Sequence, residues 1–157
     1  MTNASRLIAA VLATAGVALL TALPASADGP PQPSSGAGTV TPGAFTTRMA
    51  DGNTITNFTN TGVSTGTFSG TFVETGTEID HPDGTANVHA FVDFTGTVGT
   101  CGTGTVRFEV EAQGTPALLM GTANVIDQGD ATVAVESVDD LTVTGTTFTY
   151  SGTYHCG

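Results

Sequence analysis

From residue 44 onward, apolar and polar positions alternate with a period of two. In Thr85–Val98, the residues Ala86, Val88, Ala90, Val92 and Phe94 fall on one face and His89, Asp93 and Thr95 on the other, with Phe91 the exception. In Gly102–Ala112, Val106, Phe108, Val110 and Ala112 alternate with Arg107, Glu109 and Glu111. Such alternation marks strands with one buried face. Gly62–Glu74 reads as another strand, with Phe68 and Phe72 on one face beside Gly66 and Gly70. In the closing run Phe148, Tyr150, Gly152, Tyr154 and Cys156 share a face. Weaker strands are expected at Thr46–Ala50, Thr54–Asn60, Pro116–Ile126, Ala131–Val138 and Leu141–Thr146. Asp51-Gly52, Pro82-Asp83-Gly84 and Gln128-Gly129-Asp130 read as turns.

No segment carries a helical period, so the chain is expected to be all-β. Eight or nine strands joined by short turns predict a single antiparallel barrel of about eight strands, with a β-sandwich as the alternative. Glycines on the aromatic faces favour the barrel, because a tightly curved sheet needs bends and close approaches. Closure also removes exposed strand edges.

The N-terminal pattern differs. Arg6 precedes an uncharged apolar run from Leu7 to Leu20, Pro24 breaks it, and Ala25-Ser26-Ala27 supplies small residues before Asp28. This order predicts a cleavable signal peptide over residues 1–27, cut between Ala27 and Asp28. A run of about 14 residues is shorter than the roughly 20 that a spanning helix needs. Residues 28–43, rich in Pro, Ser and Gly, read as a flexible leader. Residues 44–157 form the barrel domain.

Charge narrows the partners. The chain has three Arg and Lys against fourteen Asp and Glu, a net charge of −11. Phosphate backbones and anionic lipids are therefore disfavoured, and neither nucleic acid nor an integral membrane segment is expected in the mature form. The two cysteines, Cys101 and Cys156, are expected to pair in a secreted, extracytoplasmic protein. Closing a loop of about 56 residues would stabilise the fold by roughly 4 kcal/mol on chain-entropy grounds.

Several short runs carry a family likeness. Phe68-Ser69-Gly70-Thr71-Phe72, His81-Pro82-Asp83-Gly84-Thr85, Phe94-Thr95-Gly96-Thr97-Val98 and Gly102-Thr103-Gly104-Thr105-Val106 resemble small bacterial barrels of unknown function in the allene oxide cyclase and dirigent superfamily. Val143-Thr144-Gly145-Thr146-Thr147-Phe148 with Ser151-Gly152-Thr153-Tyr154 is similar to that family's last hairpin. The resemblance implies an eight-stranded barrel around an apolar cavity, and a cyclase by extension. It carries over no catalytic residue.

The residues offer little chemistry of their own. Gly62-Val63-Ser64-Thr65-Gly66 matches a nucleophile-elbow pattern, but that pattern works only at a strand-to-helix turn. His81, His89 and His155 lack paired-ligand spacing, so no metal is expected. His81 is read as a turn cap and His89 as an outward strand residue. Asp127, Asp130, Asp139 and Asp140 read as solvated turn acids rather than a calcium loop. Glu74 shares the face of Phe68 and Phe72. It is the one candidate acid, with water at the rim as the plainer reading.

The expected function is a non-catalytic secreted barrel binding a small apolar molecule or a partner surface. Its lining would be Phe68, Phe72, Phe94, Phe108, Tyr150 and Tyr154, and no cofactor is expected. The alternatives are a cavity-type cyclase or isomerase and an envelope-associated structural protein.

Overall fold

The computed structural model describes residues 30–126 and 131–157. The proposed signal segment, its cleavage site at Ala27 and Asp28, and the turn at Gln128-Gly129-Asp130 lie outside them. The described residues form eight strands: β1 Gln32–Ala50, β2 Asn53–Gly66, β3 Phe68–Asp80, β4 Ala86–Val98, β5 Gly102–Thr115, β6 Leu118–Val125, β7 Val135–Thr144 and β8 Thr147–Cys156. Each pairs antiparallel with the next, and β1 pairs with β8, so the sheet closes into the expected barrel. No helix occurs among these residues, and none is long and apolar enough to cross a membrane.

The segment expected to be a flexible leader is instead largely strand. Gln32–Gly43 lies in β1 and pairs with β8 from Gln32 to Thr39. Composition suggested a linker because small residues and prolines dominate. Here the small residues make room for rings. Gly36 lies opposite Tyr150 and Gly38 opposite Phe148. A Cβ at Gly36 would sit 2.2 Å from the Tyr150 hydroxyl oxygen, and one at Gly38 2.4 Å from the Phe148 ring. Pro33 is tolerated because β1 meets β2 only from Gly36 onward, leaving one edge without a ladder to break. Pro42 falls in a bulge, where the register shifts between Thr41 and Ala44.

Two other strand boundaries differ from the alternation pattern. Gly62–Glu74 is split by a tight turn at Gly66, whose φ of 100° is left-handed, and at Thr67. Conversely Asp139 and Asp140, expected in a turn, lie inside the continuous strand β7. Elsewhere the turn chemistry is legible. Asp51 and Gly52 both have positive φ, as a two-residue hairpin turn with right-handed strand twist requires. In the β3–β4 turn the Thr85 amide and hydroxyl donate to Asp83 Oδ1 at 3.0 and 2.7 Å. His81 holds the same turn from outside, bonding Asn53 Oδ1 through Nδ1 and Asn87 Nδ2 through Nε2. The two bonds fit a neutral ring with its proton on Nδ1.

The core fills one end of the barrel. Phe68 is its hub, with ring centroids 4.9 Å from Phe108, 5.9 Å from Phe94 and 5.8 Å from Tyr150. Val98, Val106, Val133, Val135 and Tyr154 pack below them. The Tyr150 hydroxyl accepts from the Phe68 amide at 2.8 Å and donates to the Thr65 carbonyl at 3.0 Å, stapling β8 to the β2–β3 turn. The Thr67 amide donates to the Ser35 carbonyl and the Gly99 amide to the Thr67 carbonyl. A disulfide joins Cys101, in the β4–β5 turn, to Cys156 at the end of β8. This end is therefore closed.

A substitution at the seam tests the packing argument. Gly36→Val places its Cβ against the Thr65 carbonyl and the Tyr150 hydroxyl. It is expected to destabilise the fold by at least about 1–3 kcal/mol in chemical denaturation, the range for overpacked cores. An unchanged midpoint would mean that Tyr150 does not pack across the seam.

Candidate functional site

The opposite end of the barrel stays unfilled. A cavity of about 370 Å³ runs down from the β5–β6 and β7–β8 turns to the Phe68 cluster. Its walls are mostly apolar: Val88 and Val92 on β4, Leu119 and Ala123 on β6, Leu141 on β7, Phe148 on β8. Each follows from alternation, since inward positions repeat every second residue. Phe45, 70% exposed, stands at the rim.

Of the aromatic residues expected to line it, Phe68, Phe72, Phe94, Phe108 and Tyr150 do so. Tyr154 does not. It is 5% exposed, lies in the closed end and donates its hydroxyl to Gln32 Oε1 at 3.1 Å. Ser64 is buried on the cavity wall in a strand–turn–strand setting, so its elbow-like motif has no helix behind it.

Glu74 faces the cavity, half-buried. Its orientation is fixed by a relay that begins at the β1 bulge. The Gly43 amide donates to Asn60 Oδ1 at 3.3 Å, which turns the Asn60 amide nitrogen toward Glu74 Oε2 at 2.9 Å. Burial raises the Glu74 pKa from its ordinary value, and the Asn60 bond partly opposes this. Two carboxyls the sequence reading did not place here join it. Glu78, four residues further along β3 on the same face, is raised by burial, then by the charge and hydrogen bond of Asp80 and the charge of Glu74. Asp139 is 1% exposed on the cavity wall and is raised chiefly by burial. The Ser137 hydroxyl donates to its Oδ2 at 2.5 Å, and the hydrogen bonds from Ser137 and Ser34 partly oppose the effect of burial.

Asp139 is seated by a gap in the seam. It lies opposite Gly152, which lies opposite Ser34, and a Cβ at Gly152 would meet Asp139 Oδ1 at 2.9 Å. Alternation along β7 was available as a signal, because Asp139 follows Val133, Val135 and Ser137 at even spacing. Placing it in a turn hid that parity.

The outer wall carries a different pattern. Lateral pairing gathers the Thr-Gly-Thr runs into cross-strand rows, one reading Thr39, Val63, Thr71, Thr95 and Thr105. Phe91, the exception to alternation, lies on this side beneath the Arg107 guanidinium, 5.0 Å from its ring centre. His89, 50% exposed by side chain as expected, meets Glu109 at 2.9 Å, with Glu111 close by. The three ligand atoms lie within 4.8 Å of one another, a grouping that linear spacing could not reveal. It sits on the solvated surface, with the imidazole already bonded to a carboxylate.

No protein-family model matches this chain, and no curated protein has a similar sequence.

The buried carboxyls set a pH dependence. A carboxyl whose folded pKa lies above its unfolded value binds its proton more readily in the folded state. Stability then falls as pH rises through the interval between the two values. With Glu74, Glu78 and Asp139 all displaced upward, thermal melts should show a lower midpoint at about pH 7 than at about pH 5. Asp139→Asn should flatten that slope. A midpoint that climbs between these pH values would contradict the burial of these groups.

Proposed function

We propose that this protein is a secreted, non-catalytic carrier that holds a small apolar molecule inside its barrel. One observation carries the reading: an apolar-walled cavity of about 370 Å³, open at one end and floored by an aromatic cluster. Binding pockets for small molecules span roughly 300–1,000 Å³ and combine apolar walls with a few polar groups. The Cys101–Cys156 bridge supports an extracytoplasmic setting, because such bonds persist where thiols are not kept reduced.

Glu74 favours a second reading, a cyclase or isomerase resembling the allene oxide cyclase and dirigent barrels. A half-buried carboxyl with a raised pKa, aimed into an apolar cavity, suits a general acid. The carrier reading is preferred because the wall carboxyls and the Ser64 hydroxyl have no His, Lys or Cys beside them among the described lining residues.

A neutral solvatochromic dye such as Nile red provides the test. It should bind saturably at one site, and Val92→Trp should weaken binding at least about tenfold, the equivalent of roughly 1.4 kcal/mol, by occupying the cavity. Circular dichroism would verify that the variant keeps its β fold. Dye binding that ignores Val92→Trp, or no binding to the parent protein, would shift the function to the outer surface.

A further inference from the structure

We propose that the molecule held in the cavity is an amphiphilic amine, with its apolar body against the aromatic walls and its protonated nitrogen on Glu74. This rests on the carrier reading and adds a chemical class to it. Three observations converge.

The first is the sign of the cavity. Its lining includes the carboxyls of Glu74, Glu78 and Asp139 and, among the described residues, no Arg, Lys or His. Arg107 is on the outer wall, against Asp93 and Phe91, and Arg48 is exposed on β1. A buried carboxylate without a counter-charge is costly, and several facing one apolar space compound the cost. A ligand cation relieves it, whereas an anionic ligand adds to it.

The second is hydrogen-bonding capacity. Glu74 Oε2 is taken by Asn60, but Oε1 has no protein partner among the described residues. Asp139, almost completely buried, is instead served by the Ser137 and Ser34 hydroxyls. The Tyr150 hydroxyl is likewise committed, in both directions. Ionised carboxylates only accept, and an ammonium only donates.

The third is preorganisation. The Gly43–Asn60–Glu74 relay holds the carboxylate in place before any ligand arrives, which lowers the ordering cost of binding. A bulge, an asparagine and a glutamate on three consecutive strands thus act as one unit. The remaining walls are apolar enough to take an alkyl or aromatic body.

Calorimetric titration of the protein with decylamine, decanol and decanoate separates the possibilities, since the three share a chain and differ in head group. Decylamine is expected to bind at one site at least about tenfold tighter than decanol, as hydrogen bonds to charged groups exceed neutral ones by about that factor. Decanoate should bind weakest. Glu74→Gln, an isosteric change that can keep the Asn60 contact, should erase the amine preference and leave decanol binding intact. Glu136→Gln, on the outer wall beside His155, should change neither and controls for attraction to the acidic surface. Decanol or decanoate binding as tightly as decylamine would overturn the amine assignment and leave the carrier reading standing. So would an amine preference that survives Glu74→Gln. If none of the three binds, the carrier reading fails and this inference with it.

Discussion

The barrel depends on the seam between β1 and β8. Without that pairing the other strands make an open sheet with two free edges and no enclosed space. The seam brings together residues more than a hundred positions apart, so its loop-closure entropy is among the largest costs the fold must meet. Three features offset it. Glycines at 36 and 38 let the Tyr150 and Phe148 rings lie flat across the strand boundary. The Tyr150 hydroxyl bonds onward to the β2–β3 turn. The disulfide anchors the far end of β8 to the β4–β5 turn.

The same seam divides the interior. Below it, aromatic rings meet edge to face and pack with buried valines. Above it, where the β1–β2 register shifts between Thr41 and Ala44, the inward residues border the cavity. The polar groups follow this division. Buried Ser34, Ser137 and Asp139 gather beside Gly152, where the missing side chain leaves space for them. Glu74 and Glu78 face the open portion. Carboxyls in such places reduce stability at neutral pH, and their placement makes sense when a bound molecule compensates. Sites that lower stability in this way are where function is most often found.

Much of this was legible in the order of residues. Alternation in Ala86–Val98, broken only at Phe91, and in Val106–Ala112 located β4 and β5 and their inward faces, and five of the six expected lining aromatics face the cavity. Asp51-Gly52 and Pro82-Asp83-Gly84 marked their turns because backbone conformation there is decided locally. What could not be read was lateral. Gly36 and Gly38 resembled linker residues until Tyr150 and Phe148 supplied the rings they accommodate. Asp139 looked like a turn acid beside Asp140 because its strand has no run of large apolar residues. The His89–Glu109–Glu111 grouping and the threonine rows exist only across strands. Tyr154 was on the correct face but one layer too deep, and alternation fixes a face without fixing a depth.

That the cavity, rather than the threonine-rich outer wall, receives the ligand is the claim on which everything functional depends. Methyl-resolved nuclear magnetic resonance during a decylamine titration tests it most directly. Val92, Leu119, Leu141 and Val143 line the cavity, whereas Val63, Val73 and Val138 are exposed on the outside. The account predicts saturating shifts for the first group and none for the second. Shifts confined to the outer methyls, with the cavity group unmoved, would contradict it.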